Sequence, residues 1–399
     1  MSESEAFDDV KARRNAVVLA LAQALYGAVT TAVVVTAGLV GSQLAPSPSL
    51  ATLPMSMMIV GTALSTFPIS IMMRRVGRRA GFITFALAGA IGGVIGLTGI
   101  MLQNFGLFLF GSFAIGLYQA SASYYRFAAA DLASPAFRPK AISWVMTGGI
   151  VSALIGTMMV MATVDLLAPV TFAGTWMTMT AISLAAALLL IMVDIPKPVA
   201  TAIGTGRPLV EIATQPRYVV AAGTAMLAYG IMVLVMTATP VAMLGCGFSV
   251  QDSSWVIQWH ALAMFVPSFF TGNLISRFGA ERVAAAGMAL LIGAAVSGLA
   301  GIRFENFALG LILLGLGWNF GFIGGTTLLT ATYEAAERNK AQGLNDLLVF
   351  GTTALASLGA GTLLAYFGWN AVNYAVFPMV AIGLVLIGWL MTHQRKTAA

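Results

Sequence analysis

The residues able to do chemistry in this chain are few, and most stand inside long apolar runs. Ser112, Gly116, Gln119, Ser123 and Arg126 recur every three or four positions, the spacing that puts side chains on one face of a helix. Gln23, Tyr26 and Thr30 repeat it, as do Asn319, Phe322 and Thr326, while Gln258 and Trp259 each stand one turn after Trp255. Rings beside carboxamides suit a flat ligand, because rings stack and amides meet its donors and acceptors. The same rings also suit plain packing, above all the two tryptophans, and the stripe from Ser112 to Arg126 either lines a polar cavity or packs on another helix. Arg126 binds an anionic or carbonyl-rich solute, pairs with Asp131 or Asp346, or reaches back toward water. Asp346 is the candidate for proton coupling: burial raises a carboxyl pKa, and a cation such as Arg126 or Arg74 lowers it again. A fixed partner for an arginine is its other reading. His260 titrates near neutrality when solvated, although a single histidine among apolar neighbours also serves as a hydrogen-bonded packing residue.

Other chemistries are excluded by what is missing. There is no H-E-x-x-H, no P-loop and no pair of carboxylates within the apolar runs, so the chain does not read as an enzyme. One cysteine, Cys246, rules out an internal disulfide or a cysteine-based metal site, and two histidines leave little scope for other metal chemistry. Neither a metal nor a cofactor is expected.

The elements that must position these residues are membrane helices. The chain is 59% hydrophobic and only 9% charged, against about 25% charged in a soluble domain. Its net charge of +6 sits in short clusters between apolar runs, which fits a membrane face rather than a nucleic-acid surface. Twelve runs reach the roughly 20 residues a spanning helix needs. In the first half they are 15–40, 51–73, 81–101, 106–130, 141–163 and 170–193; in the second, 218–244, 254–275, 283–302, 307–330, 341–365 and 371–391. The expectation is an all-α membrane protein of twelve transmembrane helices in two pseudo-symmetric six-helix bundles, 1–193 and 218–399, joined by a linker at 194–217. With the N-terminus inside, 18 of the 20 basic residues fall on the cytoplasmic side, leaving Arg303 outside and Arg126 within a span. Both termini are therefore expected in the cytoplasm of a bacterial inner membrane. The acidic start, Met1-Ser2-Glu3-Ser4-Glu5, does not read as a cleaved signal peptide.

The halves also match each other in sequence. Arg74-Arg75-Val76-Gly77-Arg78-Arg79 follows an apolar run containing Pro68, and Ser276-Arg277-Phe278-Gly279-Ala280-Glu281-Arg282 follows one containing Pro267. Arg138-Pro139-Lys140-Ala141 is echoed by Arg338-Asn339-Lys340-Ala341. Two parallel repeats of several membrane helices are the architecture of a secondary transporter.

On these residues the chain resembles the major facilitator superfamily over essentially its whole length. That family's loop after the second span reads G-x-x-x-D-R-x-G-R-R; here Ser70 stands for the first glycine and Arg74 for the aspartate, before Arg75-Val76-Gly77-Arg78-Arg79. The second copy, Gly272-Asn273-Leu274-Ile275-Ser276-Arg277-Phe278-Gly279, keeps both glycines and one arginine. Asp131 matches the acidic residue closing the fourth helix. The resemblance implies a latch at the cytoplasmic helix ends, with Asp131 paired to Arg75 or Arg78; simple topology signalling by the arginines is the alternative. The fifth helix, Thr147-Gly148-Gly149-Ile150-Val151-Ser152, lacks the Gly-Pro pair of drug/proton antiporters, and Ser112 stands near the arginine of proton-coupled members. The stretches from His260 to Gly272, Gly315-Leu316-Gly317-Trp318-Asn319-Phe320 and Gln342-Gly343-Leu344-Asn345-Asp346 look like a bacterial branch that includes riboflavin importers.

The resemblance thus implies a monomeric carrier working by alternating access, importing a small aromatic solute such as riboflavin, with efflux of amphipathic drugs as the alternative. The expected substrate residues are Gln23, Tyr26, Thr30, Gln119, Ser123, Arg126, Gln258, Trp259, Asn319 and Phe322. Those expected in proton coupling or gating are Asp346, Asp131, Arg75, Arg78 and His260.

Overall fold

Unsatisfied backbone groups are untenable in hydrocarbon, so apolar runs of this length resolve into helices that close their own hydrogen bonds. In the computed structural model the described residues are 8–134, 137–195, 206–334 and 337–398. The side chains of Arg74, Pro139, Arg338, Asn339 and residues 395–398 lie outside the description, as does the expected linker over 196–205, with Lys197.

Among the described residues every regular element is helical. The first half holds α1 (Asp9–Leu44), α2 (Leu53–Val76), α3 (Arg78–Met101), α4 (Phe105–Ala122), α5 (Tyr125–Ala130), α6 (Arg138–Thr163) and α7 (Ala173–Leu190). A short helix, α8 (Leu209–Ala213), precedes the second half: α9 (Pro216–Gly245), α10 (Val250–Phe265), α11 (Ser268–Phe278), α12 (Ala280–Leu299), α13 (Phe304–Thr330), α14 (Arg338–Tyr374) and α15 (Val376–Ala398). Local signals set several boundaries. Asn104 caps α4 by accepting from the Leu107 amide at 3.0 Å. Ser249 and Asp252 form a reciprocal capping box at the start of α10.

Among the described residues ten stretches are long and apolar enough to cross a membrane, and the difference from twelve has two local causes. The expected eighth span is broken at Pro267 into α10 and α11, of 16 and 11 residues. The expected last two run together as one stretch from Lys340 to Gln394. Gly368 interrupts that stretch with φ +76°, a backbone conformation costly for any residue with a Cβ. The fourth span is also less regular than its apolar run implies, stepping from α4 to α5 at Ser123 and Tyr124.

The chain divides into two compact units: Met1–Ser47 with Leu53–Ala200, and Pro48–Thr52 with Thr201–Ala399. Within each, glycines let helix backbones touch, the packing that substitutes for a hydrophobic drive in lipid. In the first unit a Cβ on Gly116 of α4 would overlap the Met58 carbonyl and Thr62 amide of α2, and one on Gly148 of α6 would meet Ala20 and Gln23 of α1. In the second, Gly315 of α13 lies on the His260 carbonyl and Met264 amide of α10, while Gly317 and Gly287 bring α13 against α12. The repeat read from the charged turns is thus also a repeat of close helix contacts.

Candidate functional site

In the first unit the stripe on the fourth span changes character along its length. Ser112 is fully buried and donates back to the Phe108 carbonyl at 2.9 Å. Gly116 is spent on packing, as above. From there the stripe opens: Gln119 is half-buried, and Ser123 and Arg126 are exposed. Gln119 Oε1 accepts from Thr62 Oγ1 at 3.1 Å, a hydroxyl that also lies 3.0 Å from the Met58 carbonyl and 3.1 Å from that of Gly116. One proton is shared among three acceptors, and the Gln119 amide hydrogens have no partner among the described residues. The Ser123 hydroxyl donates to the Ala120 carbonyl at 2.7 Å.

On α1, Gln23 and Thr30 are half-buried and Tyr26 is nearly buried, with Thr30 donating to the Tyr26 carbonyl at 3.2 Å. Tyr26 meets Tyr118 edge to face at 5.3 Å. That contact joins the α1 stripe to α4 one residue before Gln119.

In the second unit the expected residues separate. Trp255 and Trp259 are exposed on α10, whereas Gln258 is turned inward and buried, so that trio is not brought together. Asn319 is fully buried and its amide is committed. Its Nδ2 donates to the Met264 carbonyl and Ser268 Oγ, both at 2.7 Å, and its Oδ1 accepts from Thr271 Oγ1 at 2.6 Å. These are the residues on either side of the Pro267 break. A proline there lacks the N–H that would continue the ladder, and Asn319 reaches across from α13 to satisfy the loosened turn.

Phe322, by contrast, stands in an aromatic group that the sequence pattern missed. Trp318 and Phe322 stack at 5.1 Å with 9° between planes. Tyr229 of α9 meets both edge-on, at 5.4 and 5.3 Å, and Phe265, the last residue of α10, meets Trp318 at 6.4 Å. Nothing in the apolar run around Tyr229 marks it; the only local clue is that Trp318 adjoins Asn319.

The titratable candidates are differently placed from expectation. Asp346 is exposed on α14, not buried, and accepts from Asn345 Nδ2 at 3.3 Å. His260 is buried, with Nδ1 2.8 Å from the Leu311 carbonyl, which places the proton on that nitrogen; Nε2 has no partner among the described residues. Asp131 takes a two-pronged contact from Arg78, Nε at 2.8 Å and Nη2 at 3.0 Å, while Arg75 is exposed. Burial pushes the Asp131 carboxyl above the usual carboxylate range and Arg78 pulls it back. Asp131, one of the two partners expected for Arg126, is taken by Arg78, and the Arg126 guanidinium lies 4.8 Å from the ring centre of Phe127.

A second charged cluster was not anticipated. Glu337, its side chain 2% exposed, accepts from Arg207 Nε and Nη2 at 2.8 and 2.7 Å, and from the backbone amides of Arg207 and Glu334 at 2.8 and 3.0 Å. Arg207 and these amides hold the Glu337 carboxyl down at about 2. Lys340 adds bonds to the carbonyls of Gly206 and Arg207, at 2.9 and 2.7 Å. The end of the linker is thereby clamped to the turn between α13 and α14. In the first unit Asp9 ties the start of α1 to the turn after α5, accepting from the Ser134 amide and hydroxyl at 2.8 and 2.9 Å.

Paired helical repeats, carboxamides at helix crossings and charged clamps at the helix ends describe a membrane carrier. The sequence profile of the Major Facilitator Superfamily matches residues 19–241 and again 220–399, and the chain belongs to that family. It is 44% identical over 396 residues, 98% of its own length and 99% of the other, to the riboflavin transporter RfnT of Brucella anthropi. A tetracenomycin C resistance and export protein of Streptomyces glaucescens is 28% identical over 182 residues, covering 43% of this chain and 33% of that one. Among solved structures, a point mutant of the nucleoside transporter NupG superposes with TM-score 0.72 at 15% identity, covering 95% of this chain and 99% of that one. The fold is shared with that carrier. The chain is a multi-pass membrane transporter, not an enzyme.

Proposed function

We propose that this chain imports riboflavin, or a closely similar flat, uncharged heteroaromatic solute, by alternating access. The observation that carries the reading is the 44% identity to a riboflavin transporter across nearly the whole of both chains. The side chains are consistent with it. The ring system offers an imide edge of alternating donors and acceptors, which Gln119 and Gln23 suit, and a broad apolar face, which aromatic side chains suit. Arg126 and Ser123, exposed on the same helical stripe, are of the chemistry that a polyhydroxyl tail calls for.

The orientation follows from charge: 18 of 20 basic residues fall on the side of the termini, so both termini face the cytoplasm of the bacterial inner membrane. We read the working unit as a single chain. Asp346 is the coupling candidate, with protonation of an exposed carboxylate rather than a buried one as the coupled event. Drug efflux is the second reading, favoured only by the partial match to the tetracenomycin exporter.

Uptake of labelled riboflavin by a flavin-auxotrophic bacterium expressing the chain, with and without a protonophore, tests the proposal. Saturable uptake is expected. Its loss on collapse of the gradient assigns proton coupling, and its persistence assigns facilitated diffusion. Absence of uptake despite verified membrane expression removes the importer reading and leaves efflux.

A further inference from the structure

Four aromatic rings from three helices converge in the second unit, and one of them carries a buried polar atom with nothing to bond. Trp318 is 8% exposed, and its indole Nε1 is shut from solvent with no acceptor among the described residues. Buried donors in native proteins are paired in the large majority of cases, so an orphan calls for a reason. Its neighbours are rings: Phe322 stacked on it, Tyr229 at its edge and Phe265 beyond. We infer that Tyr229, Trp318 and Phe322, with Phe265, form the subsite on which the flat ring of the solute stacks, and that the Trp318 N–H donates to a ring carbonyl. This rests on the reading of the chain as a carrier of riboflavin or a near relative, and it says where in the chain the ring is held.

Three further observations favour a subsite over plain packing. The glycines of α13 already serve its contacts with α10, α12 and α9, through Gly315, Gly317 and Gly325 respectively. The large aromatics are thus not needed to fill those crossings. Tyr229, Phe265 and Phe322 are only half-buried, so the group has an open side. Gln258 lies two turns before Phe265 on the same face of α10 and is turned inward. A carboxamide is the group that meets an imide edge, donor to acceptor and acceptor to donor.

The subsite also sits on the helix break. Phe265 ends α10 immediately before the Val266-Pro267 step, and Trp318 precedes the Asn319 that ties the break together. Through Phe265 and Trp318 the aromatic group is therefore joined to the place where α10 gives way to α11.

The test is riboflavin binding to the purified full chain in lipid nanodiscs, read by flavin emission, which an indole in direct contact quenches. Wild type is expected to bind and quench. Trp318→Phe and Phe322→Leu are each expected to weaken binding about tenfold, the scale of one lost stacking partner. Trp318→Phe should also restore emission of the bound flavin. Trp389→Phe, an exposed indole on α15, should change neither. If Trp318→Phe is folded and binds and quenches like wild type, the subsite is wrong while the importer stands. If Trp318→Phe does not fold, Phe322→Leu decides by its affinity alone, and unchanged affinity overturns the inference. A wild-type chain that transports riboflavin without quenching it also overturns the subsite. One that neither binds nor transports it removes the importer reading and the subsite together.

Discussion

Replacing Asn319 with alanine should destabilise the protein, whereas replacing its repeat counterpart Gln119 should not. Asn319 is fully buried and makes three hydrogen bonds of 2.6–2.7 Å across the Pro267 break. Side-chain hydrogen bonds between membrane helices average about 0.6 kcal/mol, and buried ones in proteins about 1 kcal/mol. Three of them amount to roughly 2–3 kcal/mol, because the Ser268 hydroxyl and Met264 carbonyl lose a partner, and Thr271 keeps only the Pro267 carbonyl at 2.8 Å. At the lower figure the unfolding equilibrium shifts about thirtyfold. Gln119→Ala loses one shared bond, and Thr62 retains two carbonyls of its own, so its cost is at most about 0.6 kcal/mol. The assay is reversible chemical unfolding of each purified variant in detergent, followed by far-UV circular dichroism, beside riboflavin uptake in cells. The expected pattern is a destabilised Asn319→Ala and a stable Gln119→Ala with impaired uptake. An Asn319→Ala protein as stable as wild type but dead in transport would refute the assignment of that amide to the helix break and return it to the solute.

Gly116→Ala should cost about 1–3 kcal/mol by forcing α4 off α2, while Gly351→Ala, whose added Cβ meets nothing within 4 Å, should stay within about 0.5 kcal/mol of wild type in the same unfolding assay. A double-mutant cycle with Arg78→Ala and Asp131→Asn should give a coupling of up to about 1 kcal/mol, since both side chains are partly exposed; zero coupling would reduce these charges to topology signals. The Glu337 carboxyl ordinarily titrates at 4.5 and is held at about 2 in the folded chain. Its contribution to stability is thus complete above pH 4.5 and is lost as pH falls through 2. Glu337→Gln should remove the wild-type slope in that window, as read by thermal unfolding against pH.

What the amino-acid pattern reveals and what it conceals divide along a physical line. Span positions are legible because a bilayer demands some 20 apolar residues whatever surrounds them, and the repeat is legible because its turns are the charged places. Contacts made across helices leave no such mark. Tyr229 sits in an apolar run like any other aromatic, Arg207 in a linker like any other cation, and each acquires its partner only when α13 or the turn after it is folded beside it. Asp346 misleads for the same reason: depth along an apolar run measures distance from a charged turn, not burial.

The two prolines show this most sharply. Pro68 and Pro267 stand at matching places in the repeat, yet α2 runs through the first and the second parts α10 from α11. Proline removes one backbone donor in either case, so the difference lies in what receives the loosened groups. Beside Pro68, Ser65 and Thr66 turn their hydroxyls onto carbonyls of their own helix, Gly61 and Thr62, and the fourth-span amide Gln119 reaches no further than Thr62. Beside Pro267, the fourth-span counterpart Asn319 reaches Met264, Ser268 and Thr271, one before the break and two beyond it. A shorter side chain that meets its neighbour further along the helix separates a bend whose loosened groups the helix satisfies itself from a break whose loosened groups a neighbour satisfies. The halves are alike in fold and unlike in this respect, and the aromatic group that we assign to the solute lies on the half with the break.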